Sequence, residues 1–541
     1  MISPTPHPPA RWTIAAALLS VLALAAIAYR APQGLYSDPA WQLIGVRQFL
    51  AGQSPTPNSG RTPVATDFST DRVEWVTWWA PGTPFLAVGP MWLGLSIGAS
   101  VRAIALVFLA AGAVGWALWI AAFDLPPPVA IAIAGLVPWM RYASNGIFEF
   151  SAETLIFGAA PWALLVALRS GRAGQAAARP WTTAAMVGAA VGVVYWLKYS
   201  WVLAAVGVIG WWAVRRAGSV ARAVVAISGM AAPIAALSLL NVVLAGQANV
   251  ATATASLHPS PVTWVAAIGA PSVMWFDLEA ALRYVLMRPA APLIVHTWWP
   301  LVAGVPGAVW LLFLARGLNR DAHGLALSIW ISSVVLAIVT WTVTSASVEG
   351  RHVATAGLAT LPLVVSLTIR DWREAGAARR LCGAAVLVAY VALPAAYGVV
   401  SVGAKVRRIP AGYRTGAANL YNPLLSATDV NSCRAVLSAG FDPQRDTWYL
   451  TDPGTALDLS GRAIVVHADF ESLEQLRTTY RTSKPGRVEA LLPASFESNG
   501  KGDVIRASFP QASGWTKVTV PCTPQLWVAT LDTASSASGP R

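Results

Sequence analysis

Charge is what this sequence has least of. Only 12 % of its 541 residues are Asp, Glu, Lys or Arg, about half the share of an ordinary soluble domain. That scarcity excludes a conventional soluble enzyme. With 55 % hydrophobic residues and a mean hydropathy of +0.54, it excludes a disordered chain as well, since disorder needs high charge and low hydrophobicity. Three cysteines exclude a disulfide scaffold and supply neither CxxC nor Cys/His zinc spacing. GxxxxGK[ST], HExxH and GxGxxG are all missing, which removes nucleotide-coupled and zinc-protease chemistry of those types. The net charge of +13 implies no nucleic acid unless it is clustered on a water-soluble face.

What the chain does have is long apolar runs. A helix that crosses a bilayer needs roughly 17–25 mostly apolar residues, because the hydrocarbon core is about 30 Å thick. Eleven segments qualify or nearly qualify: 11–30, 101–122, 128–142, 152–168, 181–197, 200–214, 223–245, 293–314, 324–344, 353–369 and 381–400. The first carries a small-x-small triplet, Ala26-Ile27-Ala28, like a leader-peptidase site. With only Arg11 on its basic flank, it reads as a retained anchor.

Four basic loops set the orientation. They hold Arg169, Arg172 and Arg179; Arg215, Arg216 and Arg222; Arg316 and Arg320; and Arg370, Arg373, Arg379 and Arg380. Two spans separate each from the next, so all four lie on one side if that side is the cytoplasm. The apolar stretch 81–97 cannot span without breaking this parity. With Pro81, Pro84 and Pro90 it reads as a juxtamembrane or re-entrant helix.

The expected architecture is a mainly α, polytopic membrane bundle of about 11 spans over residues 1–400, with the N-terminus inside. Its long outer stretches are 31–100 and 246–292. Residues 401–541 form a small extracytoplasmic α/β domain. There TWYLTD (447–452), AIVVHADF (463–470), VEALLPASF (488–496) and QLWVATLD (525–532) read as strands, and SLEQLRTTY (472–480) and 502–509 as helices. Cys433 and Cys522 lie in this tail and are a candidate disulfide on an oxidising side; two buried thiols are the alternative. The basic run Lys405, Arg407, Arg408 and Arg414 opposes an outside tail, and the four loops outweigh it.

Ionisable residues at a membrane surface are expensive and mark function by default. The first outer stretch holds Asp38, Asp67, Asp71 and Glu74 with Arg47, Arg61 and Arg72. Asp38 precedes an amphipathic pattern of Trp41, Ile44, Phe49 and Leu50. It reads either as the N-cap of a surface helix with Pro39 at the first position, or as a base beside the bilayer. Glu149 and Glu153 flank the head of the fourth span, and Arg141 can pair with either. Lys198 stands alone between two spans and between Trp196 and Trp201; snorkelling to the interface is its alternative. Arg351 and His352 follow Glu349 at the head of a late span. Trp75, Trp78 and Trp79 suit either sugar stacking or an interfacial aromatic belt. His258 and His296 read as loop or interface residues, and Asp277 and Glu279 as part of a further surface helix.

Several of these stretches, in order, carry a resemblance. SDPAWQLIGVRQFLAGQSP, WWAPGTPFLAVGPMWLGL, GLVPWMRYASNGIFEFSAETLIFGAAPWALL and GVVYWLKYSWVLAAVGVIGWW resemble the GT-C-type membrane glycosyltransferases. These include the protein mannosyltransferase-like and lipid A aminoarabinose transferase-like families. The resemblance covers about residues 11–215, with a weaker echo in VEGRHVATAGLATLPLVV (348–365). It implies transfer of a sugar from a polyprenyl-phosphate carrier to a glycan, lipid or protein acceptor on the outer face of the plasma (inner) membrane, with no nucleic acid involved. It maps the family's first-loop acid to Asp38, as base toward the acceptor hydroxyl. Its second-loop acid maps to Glu153, with Glu149 as rival. The donor phosphate falls to Lys198, Arg351, His352 and Arg47; Glu149, Arg141, Asp67 and Asp71 are secondary site candidates. Many members carry Asp at the second-loop position; Glu here leaves a divalent metal cofactor an open question.

Two other functions remain as alternatives. A transporter or flippase of a lipid-linked substrate would show charges deep inside spans and an internal repeat, and neither is visible. The other is a catalytically inactive relative that binds envelope partners through its tail.

Overall fold

The computed structural model describes residues 10–29, 34–35, 37–64, 67–170, 180–248, 257, 259–273, 300–315, 321–343 and 350–415, with five strands beyond. In chain order its first elements are α1 (Ala10–Tyr29), β1 (Gly34–Leu35), α2 (Ser37–Leu50), β2 (Ser59–Val64), β3 (Asp67–Trp75), α3 (Gly82–Trp92) and α4 (Ile97–Ile120). Then come α5 (Pro127–Leu136), α6 (Arg141–Phe148), β4 (Glu149–Phe150), α7 (Ala152–Arg169), α8 (Pro180–Val193), α9 (Val202–Arg215) and α10 (Val220–Ala245). The remaining helices are α11 (Pro261–Val273), α12 (Val305–Leu314), α13 (Asp321–Val343), α14 (Gly350–Glu374), α15 (Ala377–Leu387) and α16 (Leu393–Thr415). A π-helical turn, Val388–Ala392, joins the last two.

Among the described residues, seven helical stretches are long and apolar enough to cross a bilayer: α1, α4, α7, α10, α13, α14 and the continuous Ala377–Gly403. The other expected spans are shorter. α5 continues through a 3₁₀ turn to Trp139, α8 through another to Trp196, and α9 and α12 are 14 and 10 residues long. Residues 293–299 of the eighth expected span lie outside the described residues. The 81–97 stretch is divided by Gly94, whose φ of +86° suits only a residue without Cβ. Gly94 to Gly98 also spells GxSxG, but Ser96 caps α4 by accepting from the Ala99 amide.

Part of one expected outer stretch packs against the bundle helices. Within 246–292, α11 packs against α12 and α13. Trp264 Nε1 donates to Thr342 near one end of α13 (2.7 Å), and Trp330 Nε1, near its middle, donates to Ser272 (3.0 Å). α11 therefore enters beside the end of α13 and reaches about halfway along it. Its 13 described residues rise roughly 20 Å. Gly269 lies flush against Gly304, where a Cβ on Gly304 would sit 2.6 Å from the Gly269 backbone.

The two ends of the bundle differ chemically. At one, Arg216 pairs with Asp321 and reaches the Leu168 carbonyl, Trp212 donates to Ser170 (2.9 Å), Arg370 donates to the Leu314 carbonyl (2.9 Å), and Arg379 pairs with Asp371. These are the basic loops. The opposite end carries α2, the β2–β3 hairpin, the β1–β4 pair and the head of α7. Of the tail, five strands are described: β5 (Thr447–Leu450), β6 (Arg462–Val465), β7 (Val488–Pro493), β8 (Thr516–Val518) and β9 (Leu526–Leu531). They form one sheet of order β6-β5-β7-β9-β8, parallel across β6-β5-β7 and antiparallel beyond. β6 lies against β2, which puts the sheet at the first-loop end. The two expected tail helices, Cys433 and Cys522 lie outside the described residues; Cys382 is a free, exposed thiol.

Small residues bring backbones together in the core. A Cβ on Gly188 would meet the Ala226 carbonyl at 2.2 Å, and one on Gly192 the Met230 carbonyl at 2.4 Å, so α8 and α10 touch backbone to backbone. Gly210 faces open space. Gly192→Val should therefore lower stability by about 1–3 kcal/mol or more, and Gly210→Ala should leave it unchanged or slightly raised, as read by thermal unfolding in detergent. Equal behaviour of the two variants would contradict this packing.

Candidate active site

Four charged side chains from four separate elements meet at the first-loop end. Asp38 lies in the first turn of α2, which begins at Ser37, so it sits inside the helix rather than at the expected cap. Its carboxylate accepts a hydrogen bond from Arg351 Nη1 at 3.0 Å, across 313 positions of sequence. Glu153 lies in the first turn of α7 and pairs with Lys198 Nζ. Ser151 also hydrogen-bonds the Glu153 carboxylate. Lys198 feels the charges of Arg351 and Asp38 as well as Glu153. His352 feels those of Lys198, Arg351 and Glu153. The two pairs are thus one network.

Local structure explains the arrangement. β1 and β4 pair in parallel, Gly34 opposite Glu149 and Leu35 opposite Phe150. That short ladder ties the segment before Asp38 to the segment before Glu153. A Cβ on Gly34 would stand 3.0 Å from both the Glu149 side chain and the Phe148 carbonyl, so only glycine lets the strands approach this closely. Lys198 lies between two 3₁₀ turns, Val194–Trp196 and Tyr199–Trp201, in an extended conformation (φ −164°, ψ 127°). This break aims its side chain at the head of α7 instead of along the helix.

Burial separates the two pairs. The Lys198 and Glu153 side chains are 13 % and 11 % exposed, whereas Arg351 and Asp38 are 35 % and 29 % exposed. By this difference in exposure the first pair is termed the floor and the second the rim. Burial pushes the Lys198 ammonium below the usual lysine range; Glu153 and Asp38 pull it back up, while Arg351 pushes it further down. A buried cation held between two carboxylates and a neighbouring guanidinium can exchange partners when an anion enters.

The remaining expected site residues are placed elsewhere or only partly described. Arg47 stands nine residues after Asp38 in the last turn of α2, roughly 13 Å along the axis, so α2 does not bring it beside Asp38. Arg141 lies over the rings of Tyr142 (5.7 Å) and Tyr397 (5.9 Å). Glu149 is held at the β1–β4 pairing. Asp67 and Asp71 belong to β3, opposite Val64 and Pro63, and their side chains lie outside the described residues, as do His258, His296, Asp277, Glu279 and Glu349. Among the described residues no three His, Cys, Asp or Glu side chains gather as a metal site. Trp75 is buried, while Trp78 is 54 % exposed. Two residues that the sequence did not single out are Tyr199, next to Lys198, and Asn241, which donates to the Tyr199 hydroxyl; a lone Asn in the apolar run SLLNVVL was the available signal.

Truncating one member of the floor pair should be costly because it strands a buried charge. Glu153→Leu should destabilise by about 3–5 kcal/mol, and adding Lys198→Met in the same chain should recover most of that. Unfolding in detergent measures both, and a stable Glu153→Leu single variant would show that the pair is solvated.

No family model and no curated protein matches the chain. Among solved structures, it is similar to the crystal structure of ArnT from Cupriavidus metallidurans bound to undecaprenyl phosphate. The identity is 14 % and the TM-score 0.46, over 98 % of this chain and 99 % of that one. It is also similar to the arabinofuranosyltransferase AftD from Mycobacteria, with 14 % identity and a TM-score of 0.44, over 97 % of this chain and 40 % of that one.

Proposed function

We propose that the protein is a membrane glycosyltransferase that moves a sugar from a polyprenyl-phosphate carrier to an acceptor hydroxyl at the outer membrane face. The observation that supports this most is the network itself: two carboxylates and two cations, drawn from four elements, at the edge of an apolar bundle. The motifs that resemble GT-C enzymes contain Asp38, Glu153 and Lys198, and the echo at 348–365 contains Arg351 and His352. The basic loops at the opposite end support an inside N-terminus and an outer site. The contact of β6 with β2 supports a tail on the same side as the site.

In this reading Asp38 is the base. An alcohol is a poor nucleophile, and the transition state at C1 carries oxocarbenium-like charge, so a carboxylate both accepts the proton and stabilises that charge. Arg351 holds the Asp38 carboxylate in place and, with Lys198 and His352, meets the phosphate that leaves. Fixed donors at that point stabilise developing negative charge in a site partly closed to water. Glu153 balances and aims the Lys198 ammonium until the donor arrives. The lipid carrier lies in the bilayer beside the bundle, which explains why a sugar-transfer site sits at the end of apolar helices.

Asp38→Asn keeps the shape and one hydrogen-bond acceptor but removes the base. Transfer should fall at least about 10²-fold with folding unchanged. Comparison of envelope glycans and lipids from cells that carry no copy, the wild type or Asp38→Asn provides the readout. The variant should match the deletion; a wild-type glycan profile from Asp38→Asn would overturn the mechanism.

A further inference from the structure

The segment around Lys198 is held more firmly than a snorkelling lysine requires. Trp196 Nε1 donates to the Pro233 carbonyl at 2.8 Å, and Trp201 Nε1 to the Val191 carbonyl at 2.7 Å. A Cβ on Gly82, at the start of α3, would stand 2.8 Å from the Trp196 carbonyl, so the first outer loop also presses on this turn. The aromatic residues on either side of Lys198 are therefore anchored rather than spread along an interface.

Asn241 joins these parts. It lies near the end of α10 and is 1 % exposed. Its Oδ1 accepts from Trp75 Nε1 at 2.7 Å. Its Nδ2 donates to the Tyr199 hydroxyl at 3.1 Å and to the Ala248 carbonyl at 2.6 Å. The amide can face only one way, because an indole N–H only donates and a carbonyl only accepts. Gln247 Nε2 adds a parallel tie to Thr77 at 2.8 Å. Trp75 ends β3 and Tyr199 follows Lys198 directly, so one buried amide spans the first outer loop and the lysine turn.

A polar side chain buried at the edge of an apolar helix is costly unless its hydrogen bonds are satisfied, and here they are satisfied by the elements that frame the site. We infer that Asn241 is a positioning residue: through Tyr199 and Trp75 it sets where Lys198 stands relative to the loop that carries Asp38. This rests on the reading of Lys198 as a ligand of the donor phosphate. Tyr195, whose ring lies 5.1 Å from that of Tyr199, keeps the Tyr199 ring in place when the hydroxyl alone is removed.

The test is binding of undecaprenyl phosphate to the full chain in detergent, alongside the unfolding temperature. Tyr199→Phe and Asn241→Leu should each weaken binding about five- to tenfold, the scale of one or two hydrogen bonds. The double variant should be no weaker than the worse single one, since both cut the same tie. Tyr199→Phe should leave the unfolding temperature near that of the wild type, and it decides the matter if Asn241→Leu does not fold. Lys198→Gln is the reference. If it abolishes binding while Tyr199→Phe binds like the wild type, the positioning role is wrong and the site assignment stands. If Lys198→Gln itself binds like the wild type, the donor-phosphate reading fails first.

Discussion

A charge removed from water must be paired, and in this protein that constraint shapes the first-loop end of the bundle. Glu153 and Lys198 are each nearly out of solvent. Neither is tolerable alone there, because desolvation of a lone ion exceeds what packing returns. The pair fixes α7 against the turn that precedes α9. The rim pair does the same for α2 and α14, which are far apart in sequence. The β1–β4 ladder then locks the two acidic segments together. The charge pairs, that ladder and the Asn241 ties together bring these four segments to one point.

The same constraint bears on the proposed transfer. The two carboxylates and two cations compensate one another when nothing is bound. In the proposed function, an anionic lipid head that enters the network would change that balance and give the cations a second partner. The floor pair is dry and the rim pair half-wet, so the rim can exchange partners with little reorganisation while the floor stays aligned. Such division suits a reaction in which one carboxylate takes a proton and the cations receive the departing phosphate.

Much of this was legible in the sequence because each site residue breaks an apolar pattern. Lys198 between two Trp residues, Asp38 after the first span and Arg351 at the head of a late span all stand out against their surroundings. Which carboxylate meets which cation was not legible. Asp38 finds Arg351 across 313 positions, and only the three-dimensional fold decides that. Arg47 looked equivalent to the other cations by type and loop, but helical rise carries it away from Asp38. The packing of α11 on α12 and α13 was not legible either, because an apolar run of 13 residues does not name its partners. Asn241 was missed because a single Asn in a long apolar run signals a buried partner without naming it.

The most direct measurement of the central claim is a cryo-electron microscopy structure of the protein in nanodiscs with undecaprenyl phosphate. Phosphate density is expected within hydrogen-bond distance of Lys198 and Arg351, between Asp38 and Glu153, with the lipid tail running down the bundle surface. Phosphate density at another place, with the Glu153–Lys198 and Asp38–Arg351 pairs unchanged, would contradict it.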